Sequence, residues 1–186
     1  RVESDGDTHA LFVEGSSGNV GIGTSSPTAY GSTATTLEVK GASGSGIGAL
    51  QLAGADGAVK ALLYAGGSTE LIMNVQTNHG MAFYTNNTRK MTIDASGNVG
   101  IGVVPESWTS TRPALQIGTQ SSLSSYNTDG RTLLSTNAYH DSVSNRWEYI
   151  ANDHAMQYEQ YQGLHRFQVA ASGTADAEVT WTTAME

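Results

Sequence analysis

Short alternating runs of apolar and polar residues dominate this chain. In Met91-Thr92-Ile93 the apolar side chains fall on one face and the polar one on the other, the period-two pattern of a half-buried strand. The same alternation stands at Leu37-Glu38-Val39, Leu50-Gln51-Leu52 and Leu115-Gln116-Ile117, and the short apolar-rich runs Val59 to Tyr64, Leu71 to Val75 and Met81 to Tyr84 also read as strands. Arg146 to Ile150 also reads as strand, and Ala151 to Gln162 is the best helix candidate. Gly, Asn and Ser punctuate the runs, and short strands so spaced predict an all-β fold, fibre-type or β-sandwich-like.

The pattern repeats. Gly18-Asn19-Val20-Gly21-Ile22-Gly23 recurs letter for letter at Gly97-Asn98-Val99-Gly100-Ile101-Gly102. The upstream flank recurs after a one-residue slip, Leu11 to Ser17 against Lys90 to Ser96. Downstream, Pro27 matches Pro105 and Leu37-Glu38-Val39 matches Leu115-Gln116-Ile117, while Phe167 to Gly173 is a weak third copy. Each copy predicts a hairpin: a strand, a turn at Ser96-Gly97-Asn98, then a strand whose alternate positions are glycine. Such a strand leaves one face bare for another backbone to approach. Close packing around a three-fold axis is one candidate for what fills that face.

These residues carry a family resemblance. Met-x-Ile-Asp-x-Ser-Gly-Asn-Val-Gly-Ile-Gly at 91–102, followed by Pro105 and Leu115-Gln116-Ile117, resembles the repeat of tail fibres and tailspikes of tailed phages. Phe83 to Met91 resembles its usual lead-in, and the likeness covers about residues 8–41 and 78–118. It implies a homotrimeric fibre on a virion, extracellular, which holds or forms the part that attaches to a host cell-surface glycan. In that family the repeat often lies upstream of a self-cleaving intramolecular chaperone similar to a Ser–Lys protease. No lysine follows Lys90, so that domain is not expected within these residues. Trp181 to Glu186 resembles the approach to a further copy, with Met185 where Met91 stands, and both ends read as cut from something longer.

The expected organisation is a repeat-bearing β stalk over 1–118, with motif copies near 11–41 and 91–118, and an aromatic-rich β unit over 119–186. A glycine-rich loop, Gly41 to Gly48, separates the first motif from the strands that follow.

Composition narrows the function. Charged residues make up only 14 % of the 186-residue chain, against about 25 % for an ordinary soluble domain. Ser, Thr, Asn and Gln replace them, which suits extended β surfaces. The net charge of −8 argues against nucleic acid and anionic membrane as partners, since both call for a surplus of Lys and Arg. No apolar run approaches the length of a membrane-spanning helix, so membrane insertion is not expected. With no cysteine, disulfides and thiol chemistry are excluded. Hydrophobic residues at 38 % make a thin core for one chain, which association would relieve.

Little in the motifs suggests an enzyme or a cofactor. Gly18-x-x-Gly21-x-Gly23 has dinucleotide-fingerprint spacing reversed and no following helix, and Gly41 to Gly48 lacks the Lys-Ser/Thr of a phosphate loop. His9, His79, His140, His154 and His165 have no ligand spacing, and Asp5-Gly6-Asp7 is too short for a calcium loop. No Gly-x-Ser-x-Gly elbow appears, and the sequon Asn86-Asn87-Thr88 is a short chance pattern. The carbohydrate candidates are Tyr139, Trp147, Tyr149, Tyr158 and Tyr161 with Asp153 and Glu159, accompanied by Asp141 and Glu148. Rings stack on sugar faces and carboxylates bind hydroxyls; a suitably spaced carboxylate pair would make a polysaccharide depolymerase instead. The same aromatics equally suit the core of a small β unit. A purely structural spacer is the remaining alternative.

Overall fold

In a computed structural model the described residues are 2–4, 7–28, 34–41, 46–66 and 70–186. Asp5-Gly6 and residues 42–45 of the glycine-rich loop lie outside them. The described residues contain strands and no helix, so the all-β expectation holds. They divide into two compact units, Arg1–Asn78 and His79–Glu186. The boundary expected at 118/119 falls in the short turn between two paired strands of the second unit.

The first unit holds two sheets. Strands β1 (Val2–Ser4), β2 (Asp7–Val13), β3 (Val20–Ile22) and β4 (Leu37–Val39) form one in sequential order. Strands β5 (Ala49–Ala53), β6 (Lys60–Gly66) and β7 (Glu70–Val75) form an antiparallel meander. The second unit is built on a nine-stranded sheet. It begins with β8 (Met81–Thr85), β9 (Thr88–Ile93), β10 (Val99–Ile101), β11 (Ala114–Ile117), β12 (Ser121–Tyr126) and β13 (Arg131–Thr136). The chain then leaves as a small hairpin, β14 (Ala138–His140) and β15 (Trp147–Tyr149). It re-enters the sheet beside β13 as β16 (Ala155–Tyr161), β17 (Leu164–Ala170) and β18 (Thr182–Met185).

The repeat is structural as well as textual. Val13 pairs with Val20 and Val20 with Leu37; in the second copy Ile93 pairs with Val99 and Val99 with Leu115. Each copy is therefore an antiparallel hairpin followed by a parallel third strand. The turn explains the one-residue slip: Glu14 N donates to Asn19 O across a turn one residue longer than the one in which Asp94 N donates to Asn98 O. Both asparagines are buried, at 1 % and 3 % exposure. Asn98 Nδ2 donates to Asp94 Oδ2 (2.9 Å), and its Oδ1 accepts from Ala114 N (3.1 Å) at the head of β11. Asn19 Oδ1 accepts the equivalent bond from Thr36 N at 2.7 Å. One side chain thus ties the turn to the parallel strand, a join that backbone pairing alone would leave open.

The alternate glycines have a local cause. A Cβ on Gly100 would lie 2.3 Å from Val103 O and 2.8 Å from Pro105 Cδ, and one on Gly21 would lie 2.3 Å from Thr24 O. The backbone that approaches the bare face is the chain's own, folding back after Gly23 or Gly102, rather than that of another subunit. Gly102 itself takes φ +72° to make that reversal.

Two further expectations change. Residues 151–162 are not helical: β16 alternates, with Ala155, Gln157 and Glu159 buried and Met156 and Gln160 exposed. Before it, buried Asn137 accepts from Ala151 N (2.7 Å) and donates to the carbonyls of Ala151 and His154, holding 151–154 in a loop. The weak third copy does not form a hairpin at 171–173, and Gly173 packs against the Tyr149 ring, where a Cβ would lie 2.3 Å from Cε2.

Candidate functional site

The carbohydrate candidates separate into distinct environments. Tyr139 and Tyr149 are core residues, each 5 % exposed. Tyr149 packs with Ala138, Ala155, Ala170 and Val179, and Tyr139 with Trp108 and Ala114. Trp147 joins the two clusters and stands edge-on to Trp108 (6.2 Å), His140 (5.5 Å) and Trp181 (6.0 Å). Neither face of Tyr139 or Tyr149 is open for a sugar to stack. The Tyr149 hydroxyl donates to Ala171 O (2.6 Å), and Tyr139 donates to Glu148 Oε2 (3.2 Å). Burial, then the Glu148 charge, pushes the Tyr139 hydroxyl well above the ordinary phenol range.

The carboxylates are similarly engaged. Glu159, 2 % exposed, lies between Arg131 Nη1 and Arg166 Nη1, each at 3.0 Å. Arg131 also covers the Tyr161 ring at 4.2 Å, so Tyr161 and Glu159 do come together, around an arginine. Glu148 pairs with Arg146 at 2.9 Å. Asp141 accepts from Val143 N and Ser144 N, and those backbone bonds, Ser144 first, hold its carboxyl below the usual range. Asp153 is exposed in the loop before β16 and caps His154 N (2.7 Å), which lowers it in the same way. Among the described residues no group of three or more His, Asp or Glu side chains could hold a metal ion. His140 is buried, and desolvation followed by the Arg112 charge brings it down to about 4.

Tyr158 stands apart, on the opposite face of the sheet. It stacks on Phe167 (4.8 Å) and on His165 (5.8 Å), and its hydroxyl is hydrogen-bonded to His165 Nδ1. It is also one member of a line that the sequence reading did not assemble. Met81 stands opposite Ile93, Ile93 opposite Val99, and Val99 opposite Leu115. The line runs on through Leu123, Leu134, Tyr158 and Phe167 to Met185, one apolar residue from every strand of the sheet. Leu123 is 45 % exposed, Leu134 56 %, Phe167 40 % and Met185 59 %. Ile101, Ile117, Met156 and Val169 widen the same face and are equally exposed. Two shallow grooves of ≈ 280 and ≈ 330 Å³ run along it, both bordered by Leu134 and Tyr158.

The sheet is therefore inverted relative to the usual arrangement. Its covered face is largely polar: Thr92, Gln116, Ser122, Ser124, Ser135 and Gln157 are all buried. Its open face is the apolar one. Unbroken apolar faces of this extent mark interaction surfaces. The first unit repeats the feature on a smaller scale. Val13, Val20 and Leu37 align across β2–β4, and Leu50, Leu63 and Met73 across β5–β7, with all but Val20 exposed.

No family model matches the chain, and neither a curated protein nor a solved structure matches it.

Proposed function

We propose that this chain is a non-catalytic segment of a homotrimeric attachment fibre, of the kind found on phage tails, whose copies associate through their open apolar sheet faces. The apolar line crossing all nine strands carries the reading. Burying such a face gains free energy in proportion to its area, about 25 cal/mol per Å², and leaves no backbone donor or acceptor unmet. The hairpin-plus-parallel-strand module, present twice and carrying the motif that resembles the fibre repeat, supports the fibre reading. Attachment to a host cell-surface glycan completes the proposal, with avidity from three equivalent copies.

A structural spacer is the second reading. It is favoured by the scattering of the aromatic and acidic candidates over a core, a buried ion pair, a loop and the apolar face. Sedimentation velocity on the purified chain tests the assembly, with a particle of three chains expected. A glycan array probed with that particle separates the two readings: specific binding supports attachment, and its absence across host surface polysaccharides leaves the spacer. Release of reducing ends from those polysaccharides would overturn the non-catalytic reading.

A further inference from the structure

We infer that Arg112 is the receiving group of a small-anion site inside the second unit, one that takes a halide-sized ion such as chloride. The site owes nothing to the attachment reading and stands or falls separately from it.

Arg112 lies in the crossover before β11, and the backbone fixes its place there. Its N–H donates to Thr109 O (2.9 Å), while Asn127 N and Ser125 N donate to the carbonyls of Thr111 and Pro113 on either side. The guanidinium carbon stands 4.0 Å from the centre of the Tyr126 ring and 5.3 Å from that of the Trp147 ring. The residue is 7 % exposed.

An arginine in a protein stays protonated, so this is a buried positive charge. Such a charge is stable only when an opposite charge and hydrogen bonds meet it. Nε and Nη1 are both out of water, and neither has a hydrogen-bond partner. Among the described residues no carboxylate pairs with the guanidinium. The two carboxylates whose charge reaches it, Asp129 and Glu159, are already engaged. Asp129 Oδ1 and Oδ2 accept from Arg131 N (3.1 Å) and Arg131 Nη2 (3.0 Å). Glu159 Oε1 and Oε2 pair with Arg131 Nη1 and Arg166 Nη1, each at 3.0 Å. Burial, then the Arg131 charge, holds Arg112 below the ordinary guanidinium value, the direction expected of an uncompensated cation.

The surroundings favour an anion. Trp108 Nε1, a donor only, is also buried without a partner, and its ring stands against the same Trp147. Water would meet these donors but leave the charge uncompensated; an anion does both. So deep a group, with two rings against it, suits a bare ion and excludes a bulky organic one.

The test is thermal unfolding of the full chain at fixed ionic strength, with sodium gluconate exchanged stepwise for sodium chloride. Gluconate is too bulky for the site. Arg112→Met, which keeps a long side chain and drops the charge, is the comparison, and the difference between the two slopes removes general salt effects. In the unsubstituted protein Tm is expected to rise by about 3–5 °C per tenfold increase in chloride above its Kd, and in Arg112→Met to stay flat. Equal slopes in the two proteins would place the chloride effect elsewhere and overturn the inference. A Tm independent of chloride would also overturn it, and is the result expected if a carboxylate of a second copy meets Arg112 instead. If Arg112→Met does not fold, crystals of the unsubstituted protein soaked in sodium bromide decide. An anomalous peak at hydrogen-bonding distance from the Arg112 nitrogens supports the site, and none there overturns it. A peak there without any chloride dependence of Tm marks an adventitious ion only and overturns it as well.

Discussion

The side chain of Asn98 joins two strands that the backbone ladder begins to pair only one residue later: its Oδ1 accepts from Ala114 N, and its Nδ2 donates to Asp94 Oδ2. The residue is 3 % exposed, so both ends of the amide are satisfied out of water. Leaving a buried donor or acceptor without its partner costs about 1–3 kcal/mol. Asn98→Ala is therefore expected to lower unfolding free energy by about 3 kcal/mol. Asn19→Ala should cost less, because its bond to Glu14 is long at 3.4 Å. Urea unfolding of both variants measures the difference; equal and negligible losses would show that the bracket is ornamental.

Gly100 and Gly97 occupy the same motif but differ in why they are glycine. A methyl group at Gly100 would overlap Val103 O and Pro105, both backbone-anchored, so Gly100→Ala is expected to destabilise the fold by about 3 kcal/mol or more. At Gly97 nothing lies within 4 Å, and only the positive φ of +90° opposes a side chain, so Gly97→Ala should cost about 1 kcal/mol. Thermal unfolding of the two variants under one buffer gives the ranking. The opposite order would mean that the chain after Gly102 does not fold back as described.

His140 supplies a pH dependence of definite sign. Its folded-state value is brought down to about 4 by burial and by Arg112, while an unfolded histidine titrates near 6.5. Between those values the unfolded chain takes up the proton and the folded chain does not. Stability is therefore intact above about pH 6.5 and falls as pH drops towards 4, by about 2 kcal/mol between pH 7 and pH 5. The carboxylates Asp141 and Asp153, held low, lose their contribution only at more acid pH. Comparing urea midpoints at pH 7 and pH 5 for the unsubstituted chain and His140→Gln checks this. The variant should lose most of the difference, and an unchanged pH slope in His140→Gln would assign the effect elsewhere.

Much of the strand pattern was legible because the local signals agreed. Leu50-Gln51-Leu52 alternates, Leu71 to Val75 and Met81 to Tyr84 are short apolar-rich runs bounded by turn residues, and all three lie in strands. The match of Leu37-Glu38-Val39 to Leu115-Gln116-Ile117 located the third strand of each repeat, although not its parallel direction, which depends on the long crossovers before β4 and β11. Residues 151–162 misled because Ala, Met, Gln and Glu favour helices in isolation, and pairing on both sides of β16 outweighs that preference. Which face of the sheet is covered was not legible at all. Polar Gln116, Ser122 and Gln157 are buried while Leu134 and Met156 are exposed, because the β14–β15 hairpin with its flanking loops covers the polar side. For the same reason the spacing of Tyr139, Trp147 and Tyr149 suited a binding surface and a core equally well.

The central claim is that the apolar face is buried between copies. Light scattering on the unsubstituted chain and on Leu134→Glu tests it most directly, since Leu134 is 56 % exposed and its replacement leaves each chain folded while placing like charges on the shared face. The account predicts a mass of three chains for the former and a folded single chain for the latter. A stable single chain without the substitution, at concentrations well above the micromolar range, would contradict it.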